Sequence, residues 1–246
     1  MIAGKCQLCL ELKPLLKKSH IIPKFMYHGL FDPKHKIRYV SRADVTNVKL
    51  ISDGLYEPNL LCKECDNSVI GKLETYMRIM LYGGNPGKSN IPVFERRANQ
   101  HGDKSIIIKN LDYTKAKLFL LSVLWRAHIS KLPFFRNVDL GPVAEVLRGM
   151  IASYNAADVD DFETLVIFLN RNTKRPLKSI LEPLRVKKDN NISYIFYING
   201  LIYYFNISQL NKYELYSKGH ITLENSMRVI MLEDDIAEAF FDTLFY

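Results

Sequence analysis

The chain has 246 residues, of which 48% are hydrophobic and 24% charged, so it can bury a core without disulfides. No apolar run approaches the roughly 18 residues of a membrane helix, and the opening MIAGKCQLCLELKPLLKK lacks signal-peptide order, so a cytoplasmic protein with no membrane partner is expected. The net charge of +8 is uneven: residues 1–110 hold 18 Lys and Arg against 10 Asp and Glu, whereas residues 111–246 hold 16 of each. A basic part joined to a neutral part reads as a polyanion-binding module attached to something that folds, pairs with a second copy or contacts protein. The plain alternative is a merely soluble basic surface.

In chain order, Cys6-Gln7-Leu8-Cys9 is followed by a long basic stretch and then by Cys62-Lys63-Glu64-Cys65. The spacing of Val69, Ile70, Leu73, Met77 and Met80 predicts a helix from Asp66 to Leu81, with Asp66 or Asn67 as its cap. Three Gly and two Pro between Tyr82 and Pro92 call for a loop. Ser105–Lys109 is a strand candidate, and Asp112 caps a helix from Tyr113 to about Ser130 that buries Trp125. Pro142 opens a further helix, PVAEVLRGMIASY.

The period then changes. Glu163–Leu169 reads as a strand, and Ile192–Ile198 and Leu201–Ile207 flank Asn199-Gly200, a strong hairpin signal. Their aromatics, Tyr194, Phe196, Tyr197, Tyr203, Tyr204 and Phe205, lack interleaved Lys or Arg and are read as cross-strand packing that could also form a self-association face. Arg228–Leu232 adds a strand, and Asp234–Leu244 an amphipathic closing helix. The class is α+β, with expected units at 1–82, 83–110 (loop and linker) and 111–246.

All four cysteines fall into two Cys-x2-Cys pairs, which in a reducing compartment points to metal rather than to disulfides. Zinc favours four tetrahedral soft ligands, and each knuckle supplies two sulfurs, so Cys6, Cys9, Cys62 and Cys65 are expected to share one structural Zn2+, with Lys5 and Lys63 softening its negative charge. A redox pair or buried thiols would not account for two identical spacings. Fifty-two residues separate Cys9 from Cys62, more than the 15 to 20 of a plain ribbon, so the insert should carry something.

It carries Ser19-His20-Ile21-Ile22-Pro23. A knuckle, a His-Ile-x-Pro element, and Asn59-Leu60-Leu61-Cys62-x2-Cys65 opening a helix together resemble the HNH endonucleases, over residues 6 to about 80. The resemblance implies an N-terminal ββα-metal domain with a four-cysteine zinc site, followed by a helical and then hairpin-containing α+β C-terminal domain. It further implies His20 as general base on water, Mg2+ or another divalent cation at the scissile phosphate, and a bacterial setting in phage defence or a mobile element. Imidazole suits the task, being near neutral at physiological pH and able to take a water proton.

The chain departs from the family at three places. Ser19 precedes the histidine where Asp or His is usual, Asp66 follows the last cysteine where His or Asn is common, and Asn59 lies nearer the third cysteine than the family's loop-tying asparagine. Asp66 is a competent ligand for a hard cation, with Asn67 assisting. Glu74, eight residues along, would sit about 12 Å away on a straight helix, too far to share an ion with Asp66. Lys17, Lys18 and Lys24 flank His20 and are expected to grip phosphate, and Arg96 and Arg97 could extend that surface.

The expected activity is metal-dependent hydrolysis of DNA phosphodiester bonds, with RNA not excluded. The alternative is a noncatalytic zinc-stabilised protein that binds nucleic acid or recruits a partner, with a homodimer or protein contact through the neutral half.

Overall fold

Two short runs beside the cysteines pair first: β1 (Ala3–Lys5) and β2 (Leu12–Pro14) form an antiparallel ribbon around the first knuckle, in a computed structural model that describes residues 3–41, 44–83, 91–100, 104–169, 178–208, 221–222 and 225–232. β3 (Ser19–His20) follows, then a hairpin of β4 (Lys36–Ser41) and β5 (Asp44–Ser52), and β6 (Tyr56–Glu57), which returns antiparallel to β3 with His20 opposite Tyr56. The next helix starts inside the second knuckle: Glu64–Ile70 is π-wound and continues into α1 (Gly71–Tyr82). Asp66 therefore does not cap this helix but lies within its first turn, where its carbonyl accepts from Gly71 N–H in the i→i+5 pattern. Gly83 ends α1 at a positive φ (82°) with extended ψ, a conformation open to glycine.

β7 (Val93–Ala98) and β8 (Lys104–Lys109) precede α2 (Tyr113–Ile129), whose cap is the expected one: Asp112 Oδ1 accepts from Lys115 N–H at 3.0 Å. α3 (Val143–Ser153) closes on Tyr154 in the left-handed region. β9 (Thr164–Leu169), β10 (Ile180–Lys188), β11 (Asn191–Ile198), β12 (Leu201–Asn206), β13 (Ile221–Thr222) and β14 (Ser226–Leu232) complete the described elements. Asn199 and Gly200 both take positive φ, the requirement of a type I′ turn, so the β11–β12 hairpin forms where expected. The helix expected over 234–244 lies outside the described residues, as does most of the loop expected after Tyr82.

The result is a mixed α+β fold whose ten-stranded sheet runs β5-β4-β10-β11-β12-β9-β14-β8-β7, with β13 beside β14. Two pairings are parallel, β10 with β4 and β14 with β9. The first joins the 36–41 strand to the 180–188 strand, so the expected units 1–82, 83–110 and 111–246 share one sheet. They also share one apolar core, continuous from Cys6 through α1, α2 and α3 to Val229.

Alternation sorts the aromatics. Tyr194, Phe196, Tyr203 and Phe205 face the helices, whereas Tyr197 and Tyr204 join Leu165, Ile167 and Leu181 in a second cluster on the other side of the sheet. All six are buried within the chain, which closes them to base stacking and to a second copy.

α2 is buried nearly all round, which forces its charged residues to find partners. Lys117 is one of them: only 2% exposed, it donates to the Tyr113 hydroxyl at 2.8 Å and to the Asp158 carbonyl. Burial pulls its pKa down to about 8, against the attraction of Asp161, Asp158 and Asp160. A folded pKa below the unfolded one means that the unfolded chain binds more protons between the two. Stability should therefore rise from about pH 8 to about pH 10, by on the order of a few kcal/mol. Urea melts across that range should show the rise in the wild type and lose it in Lys117→Met; equal slopes in the two would show that Lys117 titrates normally.

Candidate functional site

The four sulfurs are gathered by backbone pairing. Gln7 N–H donates to Leu60 O (3.0 Å), Leu16 N–H to Leu61 O (2.9 Å), and Leu15 forms an isolated bridge with Cys62. These bonds lay the second knuckle across the first, and the four Sγ atoms lie within 4.8 Å of one another. Cys62 N–H points at Cys6 Sγ, at 3.3 Å.

Burial pushes the Cys65 thiol up, and its sulfur neighbours add to the rise. Cys6 is held down, although burial works against it, by the backbone N–H groups of Cys62, Cys9 and Leu8. Four crowded sulfurs cannot all ionise without a cation to balance them. Their chemistry and spacing fit a tetrahedral soft ion such as zinc.

Lys5 and Lys63 were the expected counter-charges, but both side chains are exposed. A basic group in contact with the first knuckle comes from α3: Arg148 Nη1 donates to Leu8 O at 2.7 Å, and its charge is felt at Cys9. Arg148→Ala should release the bound ion to a chelator several-fold faster than wild type, because the knuckle loses its outer clamp. Release rates followed with a colorimetric chelator test this; unchanged rates would confine Arg148 to its pair with Glu145.

The second cluster is built on β3, β6 and the π-wound turn. Ser19 and His20 sit on β3, and Asp66 comes from the turn after Cys65. Asp53 and Gly54 both adopt positive φ just before β6, which brings the Asp53 backbone near enough to the His20 imidazole to favour its charged form. Gly54 is required there, since a Cβ would overlap the buried Tyr27 ring. Burial lowers the His20 pKa, while Glu74 and Asp66 pull it back up.

Asp66 is half-buried, and burial raises its pKa despite the nearby Arg126 guanidinium and Ser19 hydroxyl. Ser19 is fully buried, and its Oγ has no hydrogen-bond partner of normal geometry among the described residues. The hydroxyl lies beside the Asp66 carboxyl near enough to favour its charged form, so an orphaned donor-acceptor and a carboxylate converge next to an imidazole. An unpaired buried hydroxyl costs on the order of 1–3 kcal/mol, which a bound cation or water would recover. Among the described residues the four cysteines are the group of ligating side chains gathered closely enough to hold an ion.

Two groups in this cluster are additions to the expected site. Glu74 reaches it without sharing an ion with Asp66, because Arg126 Nη1, 1% exposed on α2, binds Glu74 Oε1 at 2.6 Å and His20 O at 2.7 Å. The straight-helix separation of about 12 Å does not describe a stretch that begins π-wound. The signal for Arg126 was present in the sequence, as a charge following the long, largely apolar run 118–125 of this helix.

The remaining expected residues are placed as follows. Asn67 is exposed on the outer side of the turn. Asn59 is exposed with φ 61°, and it ties the loop through its backbone, donating N–H to Leu16 O at 2.8 Å. Lys17, Lys18 and Lys24 are exposed around β3, Lys18 held by Asp53 at 3.2 Å and over the Tyr56 ring at 4.4 Å. Arg96 and Arg97 are exposed on the edge strand β7. His128, on α2, accepts from Leu140 N–H at 3.2 Å and serves packing.

Within the described residues no helix is long and apolar enough to cross a membrane. Neither a protein-family model, nor a curated protein, nor a solved structure matches the chain.

Proposed function

We propose that the chain is a metal-dependent endonuclease of the HNH kind, acting on DNA, with zinc held by the four cysteines and a second, hard cation held beside His20. The observation that carries this reading is the convergence of His20, Asp66 and the orphaned Ser19 hydroxyl at the junction of a short antiparallel strand pair and the following helical turn. A short antiparallel pair followed by a helical turn supports reading these elements as a ββα site.

His20 would take the proton of the attacking water, its ring favoured in the neutral form by burial. Asp66 and Ser19 would hold the cation, here Mg2+ or a relative, which supplies charge stabilisation to the phosphate. Exposed Lys17, Lys18 and Lys24 would hold the DNA backbone around this opening.

A second reading rests on Ser19. A neutral residue where a charged ligand is usual leaves Asp66 as the charged candidate ligand, and a site with so little ligand charge could bind nucleic acid without cutting it. Supercoiled-plasmid nicking by zinc-replete protein in Mg2+, Mn2+ or Ni2+, wild type beside His20→Ala, separates the two. Metal-dependent nicking that needs His20 supports the nuclease. DNA retention at low salt without cleavage in any metal supports the binding module.

A further inference from the structure

We infer that Arg126, supplied by α2 from the neutral C-terminal part, is a positioning residue of the His20 site, holding the histidine in place through its backbone carbonyl with Glu74 as the anchor of the arginine. This rests on the nuclease reading of the site and deepens it.

The strand that carries His20 has two residues, and its ladder with β6 has two pairs. So short a ladder, reached from a long insert, is a weak way to fix a side chain on which proton transfer depends. The missing restraint comes from outside the N-terminal segment. Arg126 Nη1 donates to His20 O at 2.7 Å and to Glu74 Oε1 at 2.6 Å.

The arginine itself has little freedom. Its Nε donates to Ser122 O (3.2 Å) and its Nη2 reaches Ser122 Oγ (3.4 Å), one turn back on α2. The guanidinium therefore joins β3, α1 and α2 in one buried lattice, and α2 is held in turn against α1, α3 and the sheet. A planar fork with fixed donors suits this bridging, since a flexible ammonium would reach one acceptor and lose the other. The rest of α2 buries apolar side chains, apart from Lys117 and Ser122.

Arg126 is too buried to touch DNA, and it presents its bonds to a backbone atom, so it acts through His20. Displacing a reacting group by about 1 Å can cost on the order of a hundredfold in rate. Arg126→Gln is therefore expected to lower kcat for plasmid nicking about a hundredfold, with DNA affinity by fluorescence anisotropy and zinc content unchanged. Arg126→Lys should restore part of the loss. Glu74→Gln, on the more exposed side of the pair, is the variant that keeps its fold if Arg126→Gln does not, and it should lower kcat by a smaller factor in the same direction.

The second readout is independent of cleavage. The His20 ring signal in proton–carbon NMR, assigned by its loss in His20→Ala, should shift or broaden in Arg126→Gln and Glu74→Gln while those of His35 and His128 stay in place. Full kcat and an unmoved His20 signal in both variants would overturn the inference. A wild type that binds zinc and DNA but never nicks overturns the nuclease reading, and the histidine signal still decides whether Arg126 holds His20.

Discussion

Stripping the ion from the four cysteines should lower the midpoint of thermal unfolding by more than about 10 °C, and Cys65→Ser should do the same in protein never exposed to chelator. Cys6, Cys62 and Cys65 are buried within the continuous core, packed with Leu8, Leu15 and Leu61. The ion closes a loop of more than fifty residues between the knuckles. Without it, four thiols crowded within 4.8 Å replace a coordinated centre, and the ribbon of β1 and β2 that flanks the first knuckle has only three paired positions.

Structural zinc sites contribute on the order of 10 kcal/mol in isolated fingers. Here the ten-stranded sheet has its own apolar faces and should retain part of the fold, so a loss of about 5 kcal/mol is expected. For a chain of this size that corresponds to about 10–20 °C. Elemental analysis should find one zinc per chain, and differential scanning calorimetry before and after chelation reads the shift. Metal-free protein with an unchanged midpoint would remove the four-cysteine site from the account of stability.

The second large effect is at His20. His20→Ala should lower metal-dependent kcat/KM by 10²- to 10⁴-fold, the usual range for loss of a positioned base, with zinc content and DNA affinity intact. A base works when neutral, and burial places the His20 pKa below the ordinary 6.5. The wild-type rate should thus be flat through neutral pH and fall only on the acid side, below about pH 6.5. A profile that keeps falling above that value, or a His20→Ala protein that nicks at the wild-type rate, would assign the base elsewhere.

Where local chemistry decides the outcome, the residues could be read directly. Asp112 caps α2 because an aspartate before an apolar-periodic run satisfies an orphan N–H wherever the helix goes. Asn199-Gly200 turns the β11–β12 hairpin because both residues tolerate positive φ. The cysteine pairs lie together because paired knuckles present four sulfurs whatever the fold around them.

Strands whose partners are distant in sequence were harder. β4 and β10 were not expected, since each is supported by a ladder with the other, about 140 residues apart, and β5 and β7, also unexpected, lie at the ends of that sheet beside their sequence neighbours. The start of the helix at Glu64, ahead of the expected Asp66, follows from the knuckle geometry rather than from a capping residue.

The same division holds at the candidate site. The sequence by itself determined the four sulfurs, His20 with its apolar flank, Asp66 beside the second knuckle, and the basic character of the N-terminal part, because each is a matter of residue type and short spacing. Only the tertiary structure decided that Ser19 is buried without a partner, that Glu74 belongs to the histidine's surroundings, and that Arg126 reaches the His20 carbonyl. Those facts depend on which side chains share a desolvated space once α1 and α2 pack on β3. A charge at position 126 announces that it needs a partner, but the partner is named by the packing.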